Sequence, residues 1–189
     1  MVFVARYSEV SSLLAELHSV PEDRLTALRG RLQHLQKLGF PPGINTGRGK
    51  PAEYFPGQLI LLLIGVELMA LGIPPERAAR ALLAKKVIIS AAIISVLASL
   101  GDKRSPPLFI RVLPAALFDE DPRLGYVSLT DLTDTLEKTA HTGTFPTRIA
   151  LVNLSAVILN VAEWAGRRSK DARKEFLTDL SLWAGKLEY

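Results

Sequence analysis

Between Arg24 and Lys50 the chain repeats residue types suited to gripping a polyanion. Arg24, Arg29, Arg31, Gln33, His34 and Lys37 are followed by Asn45, Thr46, Arg48 and Lys50, and then by Tyr54. Six Lys/Arg residues pass before Glu53, the first acidic residue of that window. Arginine and glutamine have the donor geometry for bidentate contacts to base edges, and lysine supplies a point charge for phosphate. Gly43, Gly47 and Gly49 let a backbone come close to one. A solvated basic face with no ligand is the commoner fate of an Arg-rich helix. Charge, element order and a following hairpin coincide here, and together they favour nucleic acid.

Other chemistries fit the residues less well. GINTGRGK invites comparison with a phosphate-binding loop, but Pro51 stands where Ser or Thr is required, the spacing of Gly43 and Gly49 is wrong, and the segment follows a helix. His18, His34 and His141 are scattered outside any metal-ligand spacing, and there is no cysteine, which removes thiolate metal sites, disulfides and cysteine nucleophiles. The acids of Asp119–Asp121 and of SLTDLTD read as a solvated loop and a helix cap. Ser128 and Ser155 lack a nucleophile elbow. No metal, cofactor or catalytic activity is expected.

The elements that must position the basic residues follow from periodicity. Val10, Leu13, Leu14 and Leu17 mark a short first helix. HSVPED is a turn, and a second helix is predicted over 21–38 with Leu25, Leu28, Leu32 and Leu35 on its apolar face and Gly39 as its stop. Residues 41–54 read as a wing-like hairpin turning at Asn45–Gly49. Helices follow from Pro56 to Leu71, from the Pro74–Pro75 pair, and from Val87 to Leu100. Leu108–Leu113 has strand character, Ser128 and Asp131 cap a helix, and SKDARKEFLTDLSLWAGKL closes the chain as an amphipathic helix. Arg148–Leu154 reads either as a strand or as the first turns of the helix after it.

At 189 residues with 48% hydrophobic composition the chain has material for a substantial core. Its apolar runs fall short of a membrane span: Leu59–Val66 is broken by Glu67, and Val87–Leu100 covers 14 residues against roughly 20 required. The opening MVFVARYSEV lacks a basic segment followed by a long apolar one, so a cytoplasmic, nucleoid-associated location is expected and no membrane partner.

The order of helix, turn, basic helix ending in Leu38-Gly39-Phe40, hairpin with Arg48 and Lys50 closing at Tyr54, and then Leu71-Gly72-Ile73 with Glu76, resembles the winged helix-turn-helix of the MerR superfamily of transcription regulators. RGRLQHLQKLGFPPGINTGRG is also similar to regulators of alphaproteobacterial prophages and gene transfer agents. The resemblance covers roughly the first 85 residues. It departs from the family where a long dimerisation helix is usual, because Lys85–Leu100 is apolar nearly all round and short.

The expectation is a mostly α protein with a small β component. A MerR-like DNA-binding unit would occupy 1–86 and a small α+β unit for dimerisation or partner contact 87–189. Double-stranded DNA is the expected partner, read in the major groove by the second helix and gripped at the backbone or minor groove by the wing. Trp164, Phe176 and Trp183 read first as core packing and second as a dimer or partner interface; a homodimer is expected through the C-terminal unit, and RNA polymerase or another regulator is a further partner. The alternative is a non-catalytic adaptor of a phage-like assembly that docks through the same winged helix.

Overall fold

The computed structural model describes residues 2–44, 52–102, 104–113, 123–140 and 149–186. A two-residue strand β1 (Ala5–Arg6) leads into α1 (Tyr7–Leu17), a 3-10 turn at Glu22–Arg24, and α2 (Leu25–Lys37). Strand β2 (Glu53–Tyr54) precedes α3 (Pro56–Ala70), α4 (Pro75–Ala84) and α5 (Lys86–Ser99). The rest comprises β3 (Leu108–Leu113), β4 (Arg123–Ser128), α6 (Leu129–Ala140), β5 (Ala150–Asn153), α7 (Leu154–Arg168) and α8 (Lys170–Gly185). The protein is mostly helical with two small sheets.

Helix α3 is the centre of the molecule. Residues Leu59 to Gly65 are buried without interruption, and Leu68 joins them one turn on. A helix apolar on all sides can only be stable when covered on all sides, and α4, α7 and α8 pack around it. Residues 1–86 and 87–189, read from the sequence as two units, therefore share one core: Leu13, Leu35, Leu59, Ile93, Ile158 and Phe176 belong to the same buried cluster. The aromatics Trp164, Phe176 and Trp183 are part of that packing, with Phe176 fully buried and both tryptophans half-buried against it.

Two helix ends repeat one device. After α2, Gly39 at φ +71° lets Phe40 N–H reach the Leu35 carbonyl at 2.9 Å, and after α3, Gly72 at φ +85° lets Ile73 N–H reach Leu68 at 3.1 Å. Each is a Schellman stop, with the apolar residue after the glycine buried. The Leu-Gly-apolar triplets that carry the MerR resemblance are thus also the residues that any helix ending this way requires.

The three-stranded sheet has the order β4-β3-β5, antiparallel throughout. Ile110, Val112, Leu124 and Val152 are buried in it. Residues 150–153 thus form a strand, which decides the ambiguity of Arg148–Leu154, and Ser128 caps α6 through its bond to Asp131 N–H at 3.1 Å. Strand β4, RLGYVS, is unsignalled by the sequence because Gly125 interrupts its apolar alternation; it lies opposite Arg111.

The expected hairpin over 41–54 needs correction at its first arm. Pro41 and Pro42 lack the N–H groups that a ladder needs, and Pro41–Gly43 forms a turn, with Gly43 at φ +80°. Strand β2 pairs with β1 instead, Ala5 opposite Tyr54 and Arg6 opposite Glu53.

The C-terminal helices clamp the first helix. Arg168 lies over the rings of Phe3 and Trp164, pairs with Glu9 at 2.7 Å and donates to the Val4 carbonyl at 3.2 Å. Arg167 bonds Glu16 about two turns further along α1 at 2.6 Å, and Phe3 N–H donates to Asp179 of α8 at 2.7 Å.

Candidate nucleic-acid interface

Helix α2 divides cleanly. Leu28, Leu32 and Leu35 are buried, and at 3.6 residues per turn the opposite side is centred on Thr26, Gly30, Gln33 and Lys37, all exposed. Arg29 and Arg31, also exposed, stand on the two flanks of that face. Lys37 lies in the last turn, where the helix dipole favours a cation. The helix begins at Leu25 and not at Pro21. Arg24 therefore belongs to the 3-10 turn before it, where its guanidinium lies 3.6 Å from Asp23 in full solvent. Leu25, expected on the apolar face, is only half-buried.

His34 has a partner that the sequence did not suggest. Its Nε2 lies 2.8 Å from Glu76 Oε1 on α4, with both side chains about half exposed (46% and 51%). The backbone N–H of Glu76 itself and then the His34 bond hold that carboxyl below its ordinary range. The pair ties α2 to α4 and places a carboxylate on the Arg31 flank of the basic face, since Arg31 and His34 share one side of the helix.

Tyr54 is a correction. Expected to contact DNA at the close of the wing, it is fully buried, and Gln36 Nε2 donates to its hydroxyl at 2.6 Å. Its ring is core, and its hydroxyl locks β2 to α2. Burial pushes the phenol up to about 12, against the opposing bond from Gln36. The unfolded phenol titrates near 10, so the folded state holds its proton more tightly. The resulting stability is fully present below about pH 10 and is lost as pH rises through about 12. Urea melts between those values should show a steep decline that Tyr54→Phe flattens, while at neutral pH the substitution costs about 1 kcal/mol because Gln36 loses its acceptor. A wild-type phenolate absorbance titration with every tyrosine ionising near 10 would contradict this.

Other bonds fix the chain on either side of 45–51. Gln58 accepts from Phe55 N–H at 3.0 Å and donates to the Pro42 carbonyl at 2.8 Å, joining both sides to the start of α3. Tyr7 N–H donates to the Ala52 carbonyl at 3.1 Å, and the Tyr7 hydroxyl lies 3.3 Å from the Arg29 carbonyl of α2. Asn45, Thr46, Arg48 and Lys50 lie outside the described residues. Gln58, Tyr7 and Glu76 escaped sequence reasoning because each acts through a partner distant in the chain. Gln36 stands on the flank of α2, which is where it meets Tyr54.

A polar recess of about 480 Å³ beside β1 is lined by Val4, Arg6, Ser8, Glu9, Glu53 and Arg168. Its two arginines are matched by two glutamates, and Arg168 already bonds Glu9, so its charges are met internally. Among the described residues no three histidine or carboxylate side chains converge as a metal site would require, and no single helix is long and apolar enough to cross a membrane. Comparisons with protein-family models, with curated proteins and with solved structures find no match for this chain.

Proposed function

We propose that this protein is a sequence-specific double-stranded DNA-binding transcription regulator that lays α2 in the major groove. The observation that carries the reading is the two-sidedness of α2: Leu28, Leu32 and Leu35 anchor one side in the core, while Gln33 and Lys37 stand exposed on the other and Arg29 and Arg31 on its two flanks. A helix 10 to 12 Å across fits the major groove, and Arg31 and Gln33 have the reach and donor geometry for base edges. Arg29 and Lys37 take phosphates. Arg48 and Lys50 take the neighbouring backbone or minor groove in the manner of a wing, whose return strand is fixed to α1 and α2 through Tyr7 and Tyr54. Arg24 and His34 contribute less, because Asp23 and Glu76 accompany them. The winged helix-turn-helix arrangement, a homodimer and contact with RNA polymerase belong to the same proposal.

A mobility-shift titration on genomic fragments at increasing salt tests it. With Arg29, Lys37, Arg48 and Lys50 each neutralising one phosphate, log affinity is expected to fall against log salt with a slope of about −3.6. No shift at low salt would remove the DNA reading and leave the basic face to a docking role in an assembly.

A further inference from the structure

Among the described residues nothing packs against the glycine at the middle of α2. Gly30 is exposed, lies well within the helix, and, apart from its chain neighbours and its own helix backbone, no described heavy atom lies within 4 Å of the place a Cβ would occupy. Its backbone is not in the left-handed region, unlike Gly39, Gly43 and Gly72. A glycine in a helix interior costs about 1 kcal/mol relative to alanine. Neither packing nor conformation returns that cost here.

Around this bare position stand long polar side chains. Arg29 and Arg31 flank it, Gln33 and His34 follow at the next turn and Lys37 one turn beyond, all of them exposed. The result is a notch in the outward face of α2 with cations on its rim. We infer that Gly30 is the point of closest approach between α2 and duplex DNA, a contact position that sets how deeply the helix sits in the groove. The inference rests on the DNA-binding reading above, and the occupant follows from charge: a rim of Arg29, Arg31 and Lys37 complements a polyanion. A helix with its side chains nearly fills a groove about 12 Å wide, so the side chain at the deepest point limits how far its neighbours can reach. With hydrogen at that point, Arg31 and Gln33 come within bonding distance of base edges; with a larger group there they are held back.

The test compares the full-length wild type with Gly30→Ala and Gly30→Leu, by thermal melting and by affinity for genomic fragments and for a short random-sequence duplex. Gly30→Ala should melt about 2–4 °C higher, as expected for about 1 kcal/mol in a chain of this size. It should nevertheless bind genomic DNA several-fold more weakly, with Gly30→Leu weaker again. A stabilised alanine variant that binds like wild type overturns the inference. So does an alanine variant that melts lower, since an internal reason for glycine would then exist. If the wild type itself fails to bind duplex, the functional reading falls and this inference falls with it; if the wild type binds and neither variant is impaired, the inference falls alone.

Discussion

Gly57→Ala is expected to lower the melting temperature by about 5–10 °C, the largest effect of an added methyl at any of the described glycines, corresponding to about 2–3 kcal/mol of overpacking. Gly57 is the second residue of α3, and a Cβ placed on it would lie inside the indole ring of Trp183 on α8. The ring cannot retreat with its helix, because Phe176, Leu180 and Ala184 of α8 are fully buried and hold their register. Trp183 must therefore swing toward solvent, uncovering the start of α3. Gly30→Ala, where no atom is near the added methyl, is the matched control and should move in the opposite direction. A near-ultraviolet melt of the two variants beside wild type reads both signs at once, and an unchanged midpoint for Gly57→Ala would refute the packing described between α8 and α3.

Neutralising the outward cations of α2 should have the largest effect on binding. A variant carrying Arg29→Ala, Arg31→Ala and Lys37→Ala should lose on the order of a hundredfold or more in duplex affinity, and its salt slope should become shallower by about 1.8, for the two phosphate contacts of Arg29 and Lys37. Its fold should be untouched, since all three side chains are exposed, Lys37 opposite the buried leucines and Arg29 and Arg31 on the flanks. Within that set the residues separate by role. Arg31→Ala, which reads a base in this proposal, should cost about 1–3 kcal/mol and relax preference at one position, whereas Lys37→Ala should weaken all sequences alike. Fluorescence anisotropy on a panel of single-base variants of a selected fragment distinguishes these outcomes. A triple variant that retains wild-type affinity and slope would refute the assignment of α2 as the contact helix.

The helices were legible because their signals are local. Gly39 and Gly72 stop α2 and α3 for a reason contained in a few residues: only a glycine readily takes positive φ, and an apolar residue must follow to close the cap. Pro74 and Pro75 start α4, and the Ser128–Asp131 cap starts α6, for equally short-range reasons. What stayed hidden depends on partners far along the chain. The bond between His34 and Glu76 joins residues 42 apart, and the one from Phe3 to Asp179 joins residues 176 apart. Tyr54 read as the exposed end of a wing because an aromatic after a basic glycine-rich turn resembles one. Its burial is decided by β1 and by Gln36, neither of which is near it in sequence. The single buried cluster that 1–86 and 87–189 share was hidden for the same reason, since the surface that α3 offers to α8 has no local signature.

The central place of α3 makes this protein indivisible. Its first 86 residues contain the basic face, yet they also contain a helix whose far side is finished only by α7 and α8. A fragment ending there would present Leu59, Leu63 and their neighbours to water and would associate through them sooner than it would bind anything specifically. Helix α2 and the C-terminal helices are joined through α3 in one buried cluster, so the exposed side of α2 rests on packing that residues far along the chain complete.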